Sequence, residues 1–133
     1  MKTRVVTLAF LVVFLFVGCS SAGEVIKVGY LAGITGDFAA YGQPEVNAVL
    51  LAADEINSNG GVLGRQIEVV VYDYKSRAED AVNAARRLID HDKVVAILGS
   101  AASGPNIATA PIVTRAGIPQ IGTLSTNPLV TVD

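Results

Sequence analysis

Small, hydroxyl-bearing residues gather in one stretch, Gly99-Ser100-Ala101-Ala102-Ser103-Gly104-Pro105, and three chemistries use a loop of this kind. The first is a phosphate cradle, whose two glycines have the spacing of Gly99 and Gly104. That motif continues with Lys and then Ser or Thr, whereas Pro105-Asn106 stands here. No cation reaches a phosphate, no hydroxyl is placed for magnesium, and Pro105 removes a backbone donor. No G-x-G-x-x-G follows the first apolar segment either. The second chemistry is a nucleophilic serine. It needs the G-x-S-x-G elbow or a base within reach, and the single histidine, His91, sits among Asp90, Asp92 and Lys93 at the end of a predicted helix. In an alternating sheet-and-helix fold, that helix end falls at the opposite edge from Ser103. His91 reads as a solvated residue interacting mildly with the helix dipole. The third chemistry is anion recognition. Ser103 lies at the amino end of a helix introduced by Pro105, where backbone N–H groups and the dipole favour negative charge. Ser125 and Thr126 leave the next predicted strand at the same edge. Two readings stand for these three residues, a carboxylate receptor or a helix cap with two local turns. Tyr41, in the glycine-bearing stretch Gly33 to Gly42, is either a pocket wall or a packed ring. No metal-ligand spacing occurs, so neither catalytic residue, metal nor cofactor is assigned.

The elements that must place these residues alternate. Val25 to Ala32 is β-branched and predicts a strand. Pro44 suits the first turn of a helix whose apolar positions, Val46, Val49, Leu50, Ala53 and Ile56, recur at helical spacing until Asn59-Gly60-Gly61. Gln66 to Tyr72 predicts a second strand, covered on both faces. Ser76-Arg77-Ala78-Glu79 has the pattern of a capping box, and Ala78, Ala81, Val82, Ala85, Leu88 and Ile89 form an apolar stripe behind it. Val94 to Leu98 predicts the third strand. The helix from Pro105 ends at Gly117, with Pro111 as an expected kink or irregularity. Pro119 to Thr123 predicts the fourth strand, with Leu124 to Pro128 as its exit loop. This order predicts an α/β fold with a parallel, doubly wound sheet, whose ligands bind outside the carboxyl ends of the strands. The chain stops soon after the fourth strand without a further crossover helix, which reads as the mark of a fragment.

The beginning of the chain is read separately. Met1-Lys2-Thr3-Arg4 is basic, Val5 to Val17 is almost unbroken apolar sequence, and Gly18-Cys19-Ser20-Ser21-Ala22 is a small-residue exit. That is the layout of a secretory signal, shorter than the ~20 residues of a comfortable membrane span. Cys19 is the only cysteine, so no internal disulfide forms. Phe16-Val17-Gly18-Cys19 resembles a bacterial lipobox, with Phe16 where leucine is usual. In that reading residues 1–18 are removed and Cys19 becomes the lipid-carrying first residue; ordinary cleavage after Ala22 is the alternative. Acyl chains on Cys19 would anchor the protein to the membrane without a spanning helix. Ten basic and twelve acidic residues, for a net charge of −2, leave no electrostatic footprint for nucleic acid. The 51% hydrophobic content and thirteen glycines fit one α/β domain with tight turns.

Three stretches, "IKVGYLAGITGDFAAYGQ", "AADEINSNGGVLGRQIEVVVYD" and "GIPQIGTLSTNP", closely resemble the amino-terminal lobe of the branched-chain amino acid (leucine/isoleucine/valine)-type periplasmic substrate-binding proteins of ABC importers. The resemblance spans Glu24 to Asp133. It implies a two-lobed, type I periplasmic binding protein, of which residues 24–133 form the amino-terminal lobe and the second lobe is absent. In that family a serine after the third strand and a threonine after the fourth hold the ligand's α-carboxylate, and these match Ser103 and Thr126. A backbone carbonyl two residues before the threonine takes the ammonium group; Leu124 stands there, with Ser125 between them, and the tyrosine that flanks the ligand matches Tyr41. The resemblance further implies a non-enzymatic component that binds an amino acid or amide and delivers it to an ABC permease in the inner membrane. It would be exported to the periplasm or the outer face of the cell membrane, lipid-anchored through Cys19. Gly104-Pro105 departs from the family's serine-rich loop, and Leu124 from its usual small residue, so the ligand's identity stays open. A ligand-sensing receptor ectodomain on the same fold is the alternative from another class; no cytoplasmic or DNA-binding module accompanies it in this sequence.

Overall fold

The computed structural model describes residues 23–131. The basic start, the apolar run and Cys19 lie outside the described residues. Four parallel strands, β1 (Ile26–Ala32), β2 (Ile67–Asp73), β3 (Ala96–Gly99) and β4 (Gln120–Ile121), form one sheet in the order β2-β1-β3-β4. Three helices connect them: α1 (Ala39–Ser58), α2 (Ala78–Asp90) and α3 (Ser103–Ala116); a short 3-10 turn, Pro128–Val130, follows β4.

The helices cover both faces. On one, α1 lays Val46 and Val49 against Tyr30 and Ala32 of β1, Val69 and Val71 of β2 and Leu98 of β3. On the other, Ala81, Ala84, Ala85 and Leu88 of α2 and Val113 of α3 pack on Leu31 and Ile97. The sheet is therefore doubly wound. Its alternation is visible along β1, where Gly29 faces α2 and Tyr30 faces α1. A Cβ on Gly29 would lie 2.8 Å from Leu88 Cδ1, so the absence of a side chain sets how closely α2 approaches. From β1 the chain moves outward to β2, and from β3 it moves the other way to β4. The topological switch point thus falls between the carboxyl ends of β1 and β3, where open α/β sheets bind ligands.

Three local expectations are corrected. Helix α1 begins at Ala39, a turn before Pro44, so Tyr41 belongs to its first turn and not to a loop. The cause is distant in sequence: Ser76 Oγ accepts from Phe38 N at 2.9 Å and fixes the residue that precedes the helix. The same hydroxyl donates to the Thr35 carbonyl at 2.8 Å. Ser76 is therefore occupied elsewhere, and the capping box does not form. Arg77 takes the N-cap position of α2 with no side-chain cap, while Glu79 and Asp80 face the positive end of the helix. Thirdly, α3 starts at Ser103 and runs as one helix through the exposed Pro111 to Gly117, whose φ of 68° is the left-handed C-cap expected of a glycine. Among the described residues no helix is long and apolar enough to cross a membrane.

A candidate ligand site at the carboxyl edge of the sheet

The loop after β1 is held from below by one carboxylate. Asp73 Oδ1 accepts from the amides of Ile34 (3.0 Å), Thr35 (3.3 Å) and Lys75 (2.8 Å), and Oδ2 accepts from Thr35 Oγ1 at 2.6 Å. Burial alone would raise the Asp73 pKa, but the Thr35 hydroxyl and the three amides outweigh it and hold the group below the ordinary carboxylate value. Lys75 and Ser76 both take positive φ, 50° and 57°. That turn, unusual for two consecutive non-glycine residues, directs the Ser76 hydroxyl back to the start of α1. Above it, α1 crosses close over the same loop at Gly42, where a Cβ would meet the Gly33 carbonyl oxygen at 2.1 Å.

The loops after β3 and β4 meet at Ser103. Its Oγ accepts from the backbone amides of Thr126 and Asn127, each at 3.2 Å. A serine oxygen has two acceptor positions and one proton. With both acceptor positions engaged, the hydroxyl proton is the part of Ser103 left for another partner, at the amino end of α3. Ser103 and Thr126, assigned from separate segments of sequence, are thus brought together. Ser125 is half-buried, and its hydroxyl accepts from Asn106 Nδ2 at 2.5 Å. Leu124 lies in the same loop with an exposed side chain. Tyr41 is 57% exposed on the first turn of α1.

Glu45, one helical turn beyond Tyr41, was not singled out from the sequence. Its carboxylate accepts from Tyr30 Oη (2.7 Å) and from Thr123 Oγ1 (3.0 Å), tying α1 to β1 and to the residue before Leu124. Burial, and then the bond to Glu45, push the Tyr30 phenol above its ordinary value. The four-residue spacing from Tyr41 to Glu45 is a signal the sequence carried; the partners on β1 and after β4 were not. His91 stands where the sequence placed it, at the end of α2. Its side chain is 74% exposed and Nδ1 lies 2.8 Å from Asp92 Oδ1. The parallel topology puts that helix end at the opposite edge of the sheet from Ser103, so it supplies no base to the serine.

The periplasmic binding protein family model matches residues 25–132, and the chain belongs to that family. Its sheet and helices have the type I periplasmic binding protein fold. Over 112 residues it is 35% identical to a Leu/Ile/Val-binding protein homolog of Brucella melitensis, covering 84% of this chain and 28% of the relative. Among solved structures, it is similar to the branched-chain amino acid transporter substrate binding protein LivJ from Streptococcus pneumoniae in complex with isoleucine. There the identity is 40% and the TM-score 0.79, over 81% of this chain and 31% of that one. A solute binding protein of an ABC transporter from Rhodopseudomonas palustris, solved with 3,4-dihydroxy benzoic acid, is 31% identical with a TM-score of 0.73, over 80% and 29% of the two chains. The chain therefore spans less than a third of the length of each of these proteins.

Proposed function

We propose that this chain is the carboxylate-holding lobe of an exported solute-binding component of an ABC importer, with a branched-chain or related amino acid as ligand. The observation that carries the reading is Ser103. Its oxygen accepts from the Thr126 and Asn127 amides, which leaves its hydroxyl proton to donate to another partner at the amino end of α3. A hydroxyl donor at a helix amino end suits a carboxylate. In this reading Ser103 and Thr126 hold the α-carboxylate, and the Leu124 carbonyl takes the ammonium group. Ser125 lines the loop between them, and Tyr41 flanks the ligand. The component carries no catalysis of its own. It sits in the periplasm or on the outer face of the membrane, anchored through Cys19, and closes on its ligand before meeting the permease. Closure is driven by the ligand's greater affinity for the closed form.

The two ligands in the similar structures, isoleucine and 3,4-dihydroxy benzoic acid, share a carboxylate and little else. This supports the donor set as the common element and keeps an aromatic acid as a second ligand class. Isothermal titration calorimetry of the full-length protein against leucine, isoleucine, valine, simple amides and 3,4-dihydroxybenzoate tests the reading. Loss of a hydrogen bond to a charged group by Ser103→Ala is expected to weaken binding of the carboxylate ligand about tenfold or more. An affinity that Ser103→Ala leaves unaltered would remove Ser103 from the site.

A further inference from the structure

We infer that Asn106 is a positioning residue for this site: its buried carboxamide fixes the separation between Ser103 and the Thr126 and Asn127 amides, and thereby how strongly the lobe prefers a carboxylate to an uncharged group. The inference rests on the carboxylate reading of Ser103 given above.

Asn106 is 3% exposed, and every hydrogen-bonding position of its side chain is used. Oδ1 accepts from Ser100 N at 2.6 Å and from Gln120 Nε2 at 2.9 Å. Nδ2 donates to the Ser100 carbonyl at 2.9 Å and to Ser125 Oγ at 2.5 Å. Two acceptor and two donor positions are the whole capacity of a carboxamide. Its partners come from three segments, the loop after β3, the strand β4 and the loop after β4. No other described side chain joins all three by hydrogen bonds. Asn106 also stands one turn after Ser103 on α3, while Ser125 immediately precedes Thr126. The Asn106–Ser125 bond therefore sets the distance across which Ser103 Oγ meets the two amides.

That distance has little slack. Both Ser103 contacts are 3.2 Å, at the long end for N–H···O bonds, so a shift of a few tenths of an ångström weakens them steeply. Gly122 leaves the carboxamide its place, since a Cβ there would lie 2.9 Å from Asn106 Nδ2. Thr109 Oγ1 lies 3.0 Å from Gln120 Oε1, which leaves the Gln120 amide nitrogen to face Asn106. A buried network with every member satisfied holds its geometry, and one missing donor leaves several partners orphaned at once.

The test compares leucine with leucinamide, which keeps the ammonium group and side chain but loses the carboxylate charge. Dissociation constants are measured calorimetrically on the full-length protein, on Asn106→Asp, on Ser125→Ala and on the double variant, each first checked for a cooperative melt. The unaltered protein is expected to prefer leucine. Each single substitution should cut that preference about tenfold, and the double variant should lose no more than the stronger single one, since both act through the Asn106–Ser125 contact, in which Asn106 is the donor. A preference that Asn106→Asp leaves intact overturns the inference. So do losses that multiply in the double variant, because Ser125 would then act by touching the ligand itself. Should Asn106→Asp not fold, Gln120→Leu, which removes the donor to Oδ1, takes its place with the same expected loss. Absence of any leucine preference in the unaltered protein refutes the carboxylate reading and this inference together; a preference kept by every variant refutes this inference alone.

Discussion

Asp73 carries the loop after β1 on two oxygens, and its ionisation is therefore part of the fold. Folding holds its pKa below the ordinary value of 3.8, so the ionised form is favoured in the native state. The resulting stability is complete above 3.8 and is lost as the pH falls through the lower native value. The urea midpoint of the full-length protein should therefore drop as the pH falls below about 4, and by less in Asp73→Asn, which keeps one acceptor oxygen and has no charge to lose. An equal drop in both proteins would assign the acid sensitivity to other carboxylates. The place of Ser103 at a helix amino end was legible in the sequence because it needs only local reasoning, whereas its assignment to a ligand's carboxylate came from the family resemblance. Asn106 and Glu45 were not: a polar residue on a helix looks alike whether it faces water or a carbonyl from another segment. What distinguishes Asn106 is Ser100 and Ser125, which only the tertiary fold brings to it.

Among the elements, α2 was the most legible. Ala81, Ala85 and Leu88 recur at helical spacing, and all three are fully buried. The start of α1 was the least legible, since it is set by Ser76, 38 residues away from Phe38 in the chain. Its entry over the loop after β1 depends on Gly42, whose missing side chain lets the helix pass the Gly33 carbonyl. Gly42→Ala places a carbon against backbone that no rotamer change relieves. A loss near the upper end of the ~1–3 kcal/mol for overpacking is expected, read as a lowered urea midpoint. Because α1 carries Tyr41 and Glu45, ligand affinity should fall in the same variant even where it remains folded. Gly104→Ala, with open space around its Cβ, is the control and should leave both nearly unchanged.

At the scale of the whole molecule, strand count and parallel alternation followed from the sequence, but the order β2-β1-β3-β4 did not, because periodicity says which face is buried and not which neighbour lies beside it. Two predictions belong here. In the proposed two-lobed protein, closure supplies the remaining contacts and excludes water. The 133-residue chain alone should therefore bind leucine at least about a hundredfold more weakly than the full-length protein, by calorimetry. Equal affinity would mean that one lobe suffices. Metabolic labelling with palmitate should mark the protein through Cys19, and label that survives Cys19→Ala would rule out attachment there. The position of β1 bears on how such a chain comes into being. It is the earliest of the described strands, yet it lies inside the sheet, paired over all seven residues with β2 and over four with β3. During vectorial synthesis or export, its two edges emerge bare, one staying so until Asp73 and the other until Gly99 has followed. The sheet can only grow outward from its oldest segment, and between the emergence of Ala32 and that of Asp73 the chain carries an unpaired, apolar strand that must be kept from other chains.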